Sequence, residues 1–130
     1  MKKNSVVHFE MPYEDAKRVS DFYSQVFGWD MQNAGPDMGN YILAGTTDVD
    51  ENKMPKDPGA INGGFFPKSS QNGSSPLITV AVDDIKEAMQ KVKDAGGEVH
   101  GEPVDIPGVG QYVAFTDTEG NRGSILQPKM

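Results

Sequence analysis

Cysteine is absent from the 130 residues, which removes disulfide staples, thiolate metal sites and thiol nucleophiles in one step. Long apolar runs are absent too. After Lys2-Lys3 the first apolar pair is Val6-Val7, too short for the apolar core of a secretory leader or for a membrane span, so no signal peptide is visible and a soluble cytoplasmic protein is expected. Positive charge is scarce: 12 Lys and Arg stand against 19 Asp and Glu, a net −7, and no basic cluster follows Lys2-Lys3. That balance argues against nucleic acid and acidic lipid surfaces as partners. A chain of this length usually forms one domain and buries roughly two-thirds of its unfolded-state surface.

What is present is a pattern that occurs twice. In Val6-Val7-His8-Phe9-Glu10-Met11 the residues alternate as in a strand, with Val7, Phe9 and Met11 on a core-like face and Val6, His8 and Glu10 on the other. Asp15 then stands where a helix cap belongs, and Ala16, Val19, Phe22, Tyr23 and Val26 recur at helical spacing until Gly28. In the second copy, 77–82 reads as the strand, and Asp84 with Glu87 three residues on resembles a capping box. Ile85, Ala88, Met89, Val92 and Ala95 form its stripe, and Gly96-Gly97 ends it. Superimposing Asp15 on Asp84 also places Gly28 on Gly97 and His8 on Leu77.

The remaining segments complete each copy. Residues 30–34 and 41–44 read as strands, 45–59 as a long polar loop, and 60–66 as a strand whose Gly63-Gly64 mark a bulge, or a place where a ligand or backbone comes close. PKSSQNGSSP, 67–76, is the linker, long enough for the two modules to pair within one chain or exchange between two. Beyond the second helix, 98–101, 111–116 and 123–127 read as strands, with 102–110 a loop and 117–121 a turn. The reading is α+β, βαβββ twice: module one over 5–66, module two over 77–128.

HFEMPYEDAKRVSDFYSQVFGW, VAVDDIKEAMQKVKDAGGEV and PGVGQYVAFTDTEGN occur in an order that resembles the vicinal oxygen chelate superfamily, the glyoxalase, bleomycin-resistance and extradiol-dioxygenase group. FTDTEGN is similar to the family's F-x-DP-x-GN turn, with Thr118 in place of proline. Within the group the chain most resembles lactoylglutathione-lyase-related proteins, through FGW and the stretch from Gly96 to Gly110. The resemblance implies a curled mixed sheet around a central cup with the helices outside, His8 and Glu10 lining the cup, and a homodimer.

Metal-dependent members take ligands from the first and last strand of each module, the first lying seven residues before the aspartate that opens the helix. By that resemblance His8, seven before Asp15, is kept, while the matching Leu77 has no donor atom. The last-strand positions fall at Gly63 or Gly64 and at Ser124, where metal-binding members carry Glu. One imidazole does not hold a catalytic Zn²⁺, Ni²⁺ or Fe²⁺, which need about three protein ligands. The standard divalent-metal site therefore reads as lost and no cofactor is expected; Glu10, Asn62 and Gln127 are the residues an atypical site would recruit.

The ligand-binding residues expected from this reading are His8, Glu10, Thr79, Ser124 and Tyr112, around a small organic molecule. No catalytic residue is assigned. His8 reads as a pocket wall or a base, Glu10 as a proton-abstracting carboxylate or a solvated rim group, and Thr79 and Ser124 as orienting hydroxyls. Tyr41 and Tyr112 have no assigned face, and His100 reads as exposed. Phe22, Tyr23, Phe27 and Trp29 are expected in the core, with an interface as the alternative. Two further functions stay open: a divergent metal-dependent lyase, isomerase or dioxygenase, and a protein that sequesters a drug or antibiotic, for which the acidic charge suits a cationic ligand.

Overall fold

The computed structural model describes residues 2–129. Contacts divide them into two compact units, one over His8–Pro76 and one over 77–129 together with 2–7. The leading residues are tied to the second unit by the Ala81 N–H, which donates to the Ser5 carbonyl, and by an exposed Lys2–Asp83 ion pair.

The first unit consists of β1 (Val6–Tyr13, whose first two residues count with the second unit), α1 (Ala16–Phe27), β2 (Asp30–Asn33), β3 (Ile42–Gly45) and β4 (Gly63–Pro67). Its strand order is β2-β3-β4-β1, with β1 parallel to β4 and the other pairs antiparallel. The helix begins where Asp15 Oδ1 accepts the Arg18 N–H and stops at Gly28, whose φ of 72° closes the C-terminus through its N–H to the Ser24 and Tyr23 carbonyls. Tyr13, Ile42, Ala44 and Phe65 are buried under α1, with Phe9, Met11, Val19, Tyr23, Trp29 and Met31 packed around them. The Tyr23 ring stacks on Trp29, centroids 4.8 Å apart, as the core expectation required. Phe22 and Phe27 differ: they are 53% and 60% exposed, because they sit on the flank of α1 that faces water.

The second unit repeats this arrangement in β5 (Leu77–Ala81), α2 (Ile85–Asp94), β6 (Glu98–Ile106), β7 (Gly110–Thr116) and β8 (Arg122–Pro128). Its order is β5-β8-β7-β6, with β5 parallel to β8. Asp84 caps α2 by accepting the Glu87 N–H at 3.0 Å. Val82, Ile85, Met89, Val113 and Ile125 form its core. The described residues are thus α+β, with eight strands and two α-helices in two βαβββ units.

Three local expectations are corrected. Residues 102–106 are strand rather than loop: β6 continues to Ile106 through a register shift between His100 and Val104, where Gly101 takes a φ of 85°. Pro103 is tolerated because β6 is the edge strand of this order. The fourth strand starts at Gly63, and 60–62 lie outside it. No bulge occurs at Gly63-Gly64, since the ladders with β1 and β3 run through both residues without a shift. The linker folds into a tight turn, Ser69 and Gly73 exchanging backbone hydrogen bonds.

Candidate functional site

The alternation of β1 builds the first half of the site. Phe9, Met11 and Tyr13 pack under α1, so His8 and Glu10 point to the opposite face. Glu10 is 6% exposed, which overturns the solvated-rim reading of this carboxylate. Register places Gly64 opposite Glu10 on β4 and opposite Leu43 on β3. Tyr41, just before β3, shares that face, and its Oη lies 3.0 Å from His8 Nε2. Burial pushes the His8 pKa below its ordinary value of 6.5; the nearby Glu10 charge and a hydrogen bond to the Asn62 backbone oppose this less strongly.

The two glycines of β4 are explained by neighbouring rings. A Cβ at Gly63 would overlap the Phe9 ring on the helix side, and a Cβ at Gly64 would overlap the hydroxyl and ring of Tyr41 on the other. Tyr41 is thus the site residue that sequence reasoning left without a face. The available signal was the Gly63-Gly64 pair itself, which marks a close approach by something large.

In the second unit Val80, Val82, Val113 and Ile125 pack with α2, leaving Thr79 and Ser124 on the opposite face. They are register partners on β5 and β8, their hydroxyls 2.8 Å apart, with 1% and 0% exposure. Each hydroxyl therefore has one hydrogen-bond partner already in place. Tyr112, half-buried, sits opposite Leu126 on β8. His100 is half-buried rather than exposed: its Nε2 lies 2.6 Å from Thr116 Oγ1.

The residues at the family's metal positions do not make a divalent-ion donor set. His8 offers a nitrogen whose outer face meets Tyr41, while Gly64, not Gly63, shares the His8 face and has no side chain. Leu77 has no donor atom, and the Ser124 hydroxyl is engaged with Thr79. Two of the three side chains an atypical site would recruit already have their oxygens committed. Asn62 Oδ1 accepts the Thr46 and Thr47 N–H groups at 2.8 and 3.1 Å, and Gln127 Oε1 accepts the Ile85 N–H at 2.8 Å, at the start of α2. Among the described residues no three His, Cys, Asp or Glu side chains cluster as metal ligands.

Two βαβββ units, each with one strand face under its helix and the other turned away from it, define a class of two-module α+β proteins. The chain belongs to the Glyoxalase/Bleomycin resistance protein/Dioxygenase superfamily, whose sequence model matches residues 5–124. Over 86% of its length it is 29% identical to the anthracycline biosynthesis protein DnrV of Streptomyces peucetius. A 51-residue stretch, 39% of the chain, is 41% identical to a candidate glyoxylase, CFP32, of Mycobacterium tuberculosis. These matches span 42% and 20% of those longer relatives. A glyoxylase-like domain-containing protein of Didymella fabae is 29% identical, with 89% of this chain and 88% of that one covered. Among solved structures, methylmalonyl-CoA epimerase of Streptomyces coelicolor superimposes with a TM-score of 0.70 at 12% identity, over 99% of this chain and 100% of that one, a likeness of fold. No helix among the described residues is long and apolar enough to cross a membrane.

Proposed function

We propose that this chain binds a small organic molecule on the sheet faces opposite its helices, without the divalent metal of the metal-dependent members of its superfamily. Glu10 carries the reading: a carboxylate 6% exposed, beside the half-buried His8, on the strand face turned away from α1, which it shares with the buried Phe66. Burying such groups costs free energy, so they are retained where a ligand uses them. His8, Glu10 and Tyr41 are the ligand-facing residues of the first unit, and Thr79, Ser124 and Tyr112 those of the second. A homodimer accompanies the proposal by family resemblance, and a cytoplasmic location by the sequence reading.

A second reading, an antibiotic-handling or sequestering protein, draws on the likeness to anthracycline biosynthesis proteins and on the net −7, which favours a cationic polycyclic ligand. The enzyme alternative is a lyase, isomerase or dioxygenase with an atypical metal on His8 and Glu10.

Elemental analysis by inductively coupled plasma mass spectrometry of untagged wild-type protein beside His8→Ala separates these. The expected result is no stoichiometric metal in either, followed by ligand-induced thermal shifts in wild type that His8→Ala and Glu10→Gln lose. A ligand at a hundred times its Kd adds about 2.7 kcal/mol, enough to move the unfolding midpoint by several degrees. Near one transition metal per chain, lost in His8→Ala, would overturn the metal-free reading in favour of the enzyme.

A further inference from the structure

We infer that Tyr41 takes the place at His8 that metal-dependent members of the superfamily give to their ion, and that position 64 is glycine because the Tyr41 ring fills the volume of any side chain there. The inference rests on family membership and geometry, not on the ligand-binding reading.

The backbone does not call for glycine at position 64. Gly64 lies mid-strand, paired with Glu10 on one side and Leu43 on the other, and is absent from the residues of positive φ. Glycine inside a strand weakens it relative to alanine, so a compensating contact is expected. The Tyr41 hydroxyl and ring lie where a Cβ at 64 would project, and supply that contact. A glutamate at this position, as metal-binding members carry, has no room.

Tyr41 is also held from its other end. A turn over 35–41 is closed by the Asn40 N–H to the Gly35 carbonyl at 2.9 Å and the Tyr41 N–H to the Met38 carbonyl at 3.2 Å. Asn40 adopts a φ of 56°, and its carbonyl accepts the Tyr13 hydroxyl at 2.6 Å. The Tyr41 carbonyl accepts the Ala34 N–H at 2.8 Å. With its backbone pinned, the phenol reaches His8 Nε2 at hydrogen-bond distance and covers the lone pair or proton on that nitrogen. A metal ion and Tyr41 Oη exclude one another at that atom. One change at position 64 therefore removes a ligand and seats a phenol against the remaining one.

The test is a stability cycle over Gly64→Ala, Tyr41→Ala, Tyr41→Phe and their doubles, joined to Zn²⁺ titration. Gly64→Ala alone is expected to lower the unfolding midpoint by about 5 °C or more. In the Tyr41→Ala background the same change costs less than about 2 °C, while Tyr41→Phe, which keeps the ring, gives no relief. If Gly64→Ala does not fold, rescue by Tyr41→Ala is the expected result. Equal cost in all backgrounds, or a double variant that also fails to fold, overturns the steric exchange. In the titration, Tyr41→Ala/Gly64→Glu is expected to bind Zn²⁺ at least tenfold more tightly than wild type, and His8→Ala added to it to abolish the gain. No gain, or wild-type binding as tight as the double variant's, overturns Tyr41 as the group that keeps the ion away.

Discussion

At the scale of single residues, His8 pairs with Tyr41 and Glu10 is buried. His8 holds a pKa below 6.5 chiefly because burial penalises its charged form. The folded chain therefore binds its His8 proton less readily than the unfolded chain. Stability from this group is present above about pH 6.5 and is lost as pH falls from there toward the lower folded-state value. Urea midpoints measured at pH 7.5 and 5.5 are expected to fall further for wild type than for His8→Gln. Parallel losses would show that His8 does not contribute. The positions of His8 and Glu10 were legible because alternation along one strand assigns faces. Tyr41 was not, because the short strand read over 41–44 assigns it no face and its direction depends on a turn and on the space above Gly64.

Among the secondary-structure elements, the helices were the most legible. Their stripes, aspartate caps and the glycine that closes α1 are local features, set by residues within one or two turns. Asp15→Ala and Asp84→Ala each remove one capping acceptor and are expected to cost about 1 kcal/mol, measured by chemical denaturation. Gly28→Ala forces a Cβ into left-handed backbone for about 1–2 kcal/mol, although nothing crowds that site. A cost near zero would mean that α1 ends by another route. The strands were less legible. The continuation of β6 past Gly101 and Pro103 depends on pairing with β7 and on the edge position, which are long-range facts.

For the molecule as a whole, the two units carry separate core clusters, one built on Ile42 and Phe65 and one on Ile85 and Ile125. Ile42→Val and Ile85→Val each delete one buried methylene and are expected to cost about 0.5–1.5 kcal/mol. Because the two clusters share no member among the described residues, the double variant is expected to equal the sum within about 0.5 kcal/mol in equilibrium unfolding. A larger discrepancy would show that the two clusters are energetically coupled. The repeat explains why each unit has its own core: each strand–helix–strand pattern carries one apolar helix stripe and one strand face to cover it.

The sequence by itself determined the α+β class, the twofold βαβββ repeat, the helix limits, the family and the face of β1 that carries His8 and Glu10. All of these follow from periodicity, capping and motif order, which are written within short stretches of chain. Only the tertiary structure decided that Glu10 is buried, that Thr79 and Ser124 bond to each other, and that Tyr41 covers His8 above Gly64. Those facts join residues far apart in the chain, His8 with Tyr41 33 positions on and Thr79 with Ser124 45 positions on, and depend on which volumes neighbouring strands leave empty, a property of packing that no local pattern encodes.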